Sequence, residues 1–125
     1  MFIGQTIVAE DTTGTTIYSP WFWRQGDGMT SAAEVIAMSS ASVTELTISI
    51  LDKNSDQTGD APNLAVGSFE TITAAGTSNK RVSGLRELVR YKIVLKRKAG
   101  TGTGTVYAHL RLLAPSWETS GAQGN

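Results

Sequence analysis

The chain has 125 residues, 11 basic and 11 acidic side chains for a formal charge of zero, one histidine and no cysteine. One domain fits that length, and folding can bury roughly two-thirds of the unfolded chain's surface without a disulfide or metal. Without cysteine, a thiol nucleophile, a thiolate zinc site and a disulfide scaffold are all excluded.

Threonine, serine and glycine are abundant and charge is sparse, which suits short strands joined by tight turns. No apolar run approaches the roughly 20 residues of a membrane-spanning helix, and no basic region precedes an apolar core in Met1–Thr6. Neither a secretory leader nor a membrane anchor is expected. Residues 1–79 carry two bases against nine acids, −7, and residues 80–125 carry nine bases against two acids, +7. Such polarity either steers association with another molecule or disappears when strands from the two halves interleave and their charges pair locally.

In chain order, Phe2–Ala9 is apolar enough for a strand, and Thr12-Thr13-Gly14 ends it. Thr15–Trp23 forms a second strand that Pro20 confines to an edge or interrupts at a bulge, because proline cannot donate to a ladder. Gly26-Asp27-Gly28 turns the chain. Residues 30–42 are ambiguous. Ser31 with Glu34 makes a capping box for a helix, yet Val35 and Ala37 run on naturally as sheet, and strand is the expectation.

Val43–Leu51 alternates, with Leu46, Ile48 and Ile50 inward. The polar run Asp52–Pro62 is then expected to be a surface loop. Val66–Thr73 alternates again, Ala74–Asn79 turns, and Lys80–Leu85 leads into the strongest pattern of the chain. There Val89, Tyr91, Ile93 and Leu95 share one face and Arg90, Lys92 and Lys96 the other. Val106, Ala108, Leu110 and Leu112 repeat the alternation. Between them Gly100, Gly102 and Gly104 offer the positive φ angles of a turn, so a long antiparallel hairpin is predicted. Seven or eight strands in all predict an all-β, single-domain antiparallel β-sandwich, specifically jelly-roll-like, over residues 1–117. Residues 118–125 read as a polar tail with nothing to bury.

Few constellations carry chemistry. His109 has no Gly-x-Ser-x-Gly elbow to serve and reads as a surface or interface histidine. Asp52, Asn54 and Asp56 space oxygen atoms like the start of a calcium loop. Gln57 stands where the sharp-turn glycine belongs and Asn63 replaces the closing glutamate, so turn formation explains the same letters and no metal or other cofactor is expected. The glycine series precedes a strand, which excludes a phosphate cradle at a helix N-terminus. Lys80, Arg81, Arg86, Arg90, Lys92, Lys96, Arg97 and Lys98 form a basic group without interleaved stacking aromatics, which argues against nucleic acid. Tyr18, Trp21, Phe22 and Trp23 form either core or, through Trp21 and Trp23 on a shared face, a carbohydrate-stacking platform.

Leu88–Leu95 followed by Gly102–Glu118, ending Leu113-Ala114-Pro115-Ser116-Trp117, resembles the final hairpin of small virion proteins of tailed bacteriophages. The resemblance covers about 30 residues and implies a capsid decoration, or cement, protein. It implies a non-enzymatic β-sandwich on the outer capsid surface, made in the host cytoplasm, bound to major capsid protein subunits and assembled as a trimer or dimer. On that reading the contacts come from Trp117, from the basic face at Arg90, Lys92 and Lys96, and from the loop carrying Asp52, Asp56 and Asp60. The alternative is a carbohydrate-binding module of a virion or tail, using Trp21 or Trp23.

Overall fold

A computed structural model of the chain describes residues 5–56 and 65–118. Its elements are ten strands: β1 Gln5–Ala9, β2 Thr15–Tyr18, β3 Phe22–Trp23, β4 Gly28–Met38, β5 Thr44–Lys53, β6 Ala65–Ser68, β7 Gly76–Ser83, β8 Leu88–Arg97, β9 Val106–Leu112 and β10 Ser116–Glu118. Every named pairing is antiparallel.

Proline accounts for two of the breaks. Ser19-Pro20-Trp21 separates β2 from β3, which both lie along β8, and Leu113-Ala114-Pro115 separates β9 from β10, which both lie along β4. Each broken pair is therefore one strand course. Counted so, the first course pairs with the eighth (β1 with β9), the second with the seventh (β2 with β8), the third with the sixth (β4 with β7) and the fourth with the fifth (β5 with β6). A ribbon folded at its middle and rolled into two facing sheets gives that pairing, which makes the sandwich a jelly roll. We call the sheet built on β1, β9, β4, β10 and β7 sheet A, and the sheet built on β2, β3, β8, β5 and β6 sheet B.

The core lies where the inward sets of the two sheets meet: Val35, Leu110 and Leu112 from sheet A against Leu46, Ile48, Ile50, Ile93 and Leu95 from sheet B. Tyr91 is fully buried among them. Its hydroxyl is 2.8 Å from Ser31 Oγ across the sandwich, and its amide donates to Ser19 Oγ at 2.9 Å. Burial raises the phenol pKa, partly offset by the bond to Ser31. The strand expected over residues 30–42 holds as far as Met38, in β4, with a register shift between Val35 and Ala37, while residues 39–43 turn the chain toward β5.

Three expectations need correction. The glycine-rich segment does not close a hairpin, because β8 lies in sheet B between β2 and β5, and β9 lies in sheet A between β1 and β4. The connection is an arch that crosses from one sheet to the other. Alternation cannot separate the two cases, since strands facing each other across a sandwich turn apolar sides inward just as hairpin partners do. The arch keeps positive φ at Gly100, Gly102 and Gly104, and the Arg97 guanidinium braces it by donating to the carbonyl oxygens of Thr101 (2.7 Å) and Gly104 (3.3 Å). Second, Asp52 and Lys53 are not loop residues but the buried end of β5. Third, the turn expected over Ala74–Asn79 is mostly strand, with β7 beginning at Gly76, and Glu118 belongs to β10 rather than to a tail.

Candidate functional site

At one end of the sandwich the loops knit together. Arg24 Nη1 donates to Asp27 Oδ1 (3.1 Å) and to the Leu85 carbonyl (2.5 Å), while the Leu85 amide donates to the Asp27 carbonyl. The buried Asp52 carboxylate, 1% exposed, accepts from the Arg86 amide (2.8 Å) and from its Nη2 (3.0 Å). Glu87 accepts from the Ser55 amide (2.7 Å) and hydroxyl (2.8 Å), and those bonds hold its carboxyl below the usual carboxylate range.

Against this frame opens a cleft of about 420 Å³ lined by Phe22, Trp23, Gln25, Ala114, Pro115 and Trp117. Its two walls come from opposite sheets, β3 with the residues after it and β10 with the residues before it. Phe22 is anchored by a tilted contact with Tyr91 (5.9 Å between centroids) and an edge contact with Trp117 (6.3 Å). The walls come close because residue 26 is glycine: a Cβ there would lie 2.3 Å from the Glu118 carbonyl oxygen. Glu118 is clamped in turn by Arg81, whose Nε donates at 2.7 Å, and that bond lowers the glutamate pKa and raises the arginine's. Trp23, with 60% of its surface exposed, presents its indole to solvent at the rim.

The sequence-predicted contacts do not share a face. Arg90 is only 7% exposed and lies between two rings, its Cζ 4.0 Å from the centre of Tyr18 and 4.5 Å from that of Trp21. Lys53 Nζ approaches the Trp21 ring at 4.7 Å. Trp21 is thereby capped by cations and does not combine with Trp23 into one glycan platform. Lys96 faces Glu45 at 3.8 Å. Lys92 remains half-buried on the outer side of sheet B, and Trp117 is turned into the cleft rather than toward a tail. Asp52 is withdrawn into its bonds with Arg86, which dissolves the calcium spacing, and Asp56 is exposed. Asp60 lies outside the described residues.

Part of the polarised charge is paired internally. Arg86 with Asp52, Lys96 with Glu45 and Arg111 with Glu34 each join a base of the second half to an acid of the first. Interleaving of the halves within both sheets makes those pairs possible.

Sequence reasoning missed the outer face of sheet A. There Val8 (54% exposed) pairs with Tyr107 (42%), and Ile36 (51%) stands out at the β4 register shift. His109, half-buried between them, has its Nδ1 2.7 Å from Thr6 Oγ1. It also missed Phe22, Gln25 and Pro115 as cleft residues. The available signal was a proline beside a tryptophan in each interrupted course, Pro20 before Trp21–Trp23 and Pro115 before Trp117. Comparison of the chain with protein-family models gives no match, and comparison with curated proteins gives none either.

Proposed function

We propose that the chain is a non-enzymatic virion structural protein that decorates a capsid lattice, clamping neighbouring major capsid protein subunits from the outer surface as a trimer or dimer. The observation that carries this reading is the exposure of three large apolar residues, Val8, Tyr107 and Ile36, on the outer side of sheet A, with half-buried His109 among them. Large apolar groups exposed on a sheet exterior, an aromatic ring among them, suit the core of an interface. The sequence resemblance of Leu88–Leu95 and Gly102–Glu118 to phage virion proteins supports the same reading, although the two segments are joined by an arch and do not form the hairpin it implied. Cementing asks only for contact area repeated around a shell, because many equivalent weak interfaces add up.

Electron microscopy of virus particles that contain this chain tests the proposal. Density matching an eight-course sandwich is expected on the shell exterior with the Val8–Tyr107 face against capsid subunits. Tyr107→Asp should reduce the number of copies retained per purified particle. Particles whose shell density shows no such domain would overturn it.

A further inference from the structure

The cleft between β3 and β10 has the chemistry of a small-ligand site, and we infer that it binds a neutral saccharide ring. The inference does not depend on the virion reading. None of the lining side chains carries a charge. Phosphates, nucleotides and acidic sugars would find no ion to pair with there, so complementarity selects an uncharged ligand. The volume of about 420 Å³ lies toward the small end of the roughly 300–1,000 Å³ of ligand pockets, enough for one or two rings.

The lining then specifies the kind of ring. An indole face is electron-rich and attracts the C–H groups on the apolar side of a pyranose, and Trp23 offers such a face at the rim. Gln25, exposed beside it, carries an amide that both donates and accepts. Sugar hydroxyls also do both, whereas the carbonyls of a proline-rich peptide only accept. The amide can pair with a sugar hydroxyl in either direction, and with a peptide carbonyl only as donor. Preorganisation adds to this: Trp117 is held in the ladder opposite Met29, Phe22 is locked by Tyr91 and Trp117, and Gly26 fixes the spacing of the two walls. A platform already set in the free protein loses little entropy when a ligand arrives.

The test is titration of the full chain with glucose, galactose, mannose and N-acetylglucosamine and their disaccharides, followed by tryptophan fluorescence and by two-dimensional NMR. At least one should bind with a dissociation constant on the order of a millimolar. Its shifts should fall on the indole N–H of Trp23 and Trp117 and on the Gln25 amide. Trp23→Ala should weaken binding by about tenfold or more while leaving the melting temperature unchanged, because the ring is mostly in solvent. Trp23→Phe should restore part of it, and Trp21→Ala should leave it intact if the fold is kept. Four results would each overturn the inference: no saccharide shift at tens of millimolar, a shift that survives Trp23→Ala, binding of a proline-rich peptide in place of every sugar, or burial of Trp23 between two copies of the chain by sedimentation and NMR. Particles whose shell density lacks this domain, with sugar binding retained by the purified chain, would count against the virion reading alone.

Discussion

A single hydroxyl pair in the centre of the sandwich shows how these residues hold one arrangement. Tyr91 and Ser31 are both buried, and each is satisfied across the gap by the other. Removing one member leaves a buried polar group without its partner, which costs about 1–3 kcal/mol, whereas removing both together is nearly neutral. Tyr91→Phe and Ser31→Ala should therefore each lower stability in urea denaturation, and the double variant should be less destabilised than the sum of the two. A purely additive result would show that the pair contributes nothing beyond volume. Legibility in the sequence followed the same line. Tyr91 was readable as an inward residue from its spacing with Val89 and Ile93. That its hydroxyl reaches Ser31 depends on which strand faces it, a relation between residues 60 positions apart that alternation does not encode. Arg90 was misjudged for a related reason: its place on the outer face was right, but two aromatic rings lie across it, and period-two patterning gives the side of a sheet without giving what covers that side.

At the scale of elements, the strands were legible and their partners were not. Alternation located β5, β8 and β9, because a half-buried strand must present every second residue to the core, and Pro20 marked the interruption of the second course. The connection between β8 and β9 was misassigned although its length held the clue. The segment 98–105 spans eight residues, and hairpin loops ordinarily take 2–5, whereas an arch between sheets roughly 10 Å apart needs more chain. The cleft was legible only as two tryptophans, Trp23 and Trp117, near prolines, since its walls are brought together by β10 lying against the turn at Gly26. Gly26→Ala tests that placement. A methyl group 2.3 Å from the Glu118 carbonyl oxygen cannot be accommodated without moving β10, so the variant should lose roughly 1–3 kcal/mol and its Trp117 indole signal should shift in NMR spectra. An unchanged spectrum would mean that β10 is not pinned by that contact.

For the whole molecule, acid should loosen the end that bears the cleft before it melts the core. Glu87 and Glu118 have pKa values depressed by bonds from Ser55 and Arg81. A carboxyl whose folded pKa lies below its unfolded value, near 4.3, contributes stability that is fully present above that value and lost as the pH falls through the folded one. The protection factor at Ser55, corrected for the slower intrinsic exchange in acid, should therefore fall below about pH 4 while Ile48 and Ile93 stay protected, and Glu87→Gln should remove that fall. Uniform exchange across the chain at that pH would show that the loops at this end melt only with the core.

The pairing of first course with last also sets a clock on assembly. Thr6 meets His109, 103 residues further along the chain, so β1 finds no partner until almost the entire ribbon exists. At 5–20 residues per second, ribosomal synthesis leaves that strand waiting for roughly 5–20 s, and contacts this distant place the domain among slow-folding topologies. Until β9 emerges, the apolar side of β1 is available to chaperones or to another nascent copy.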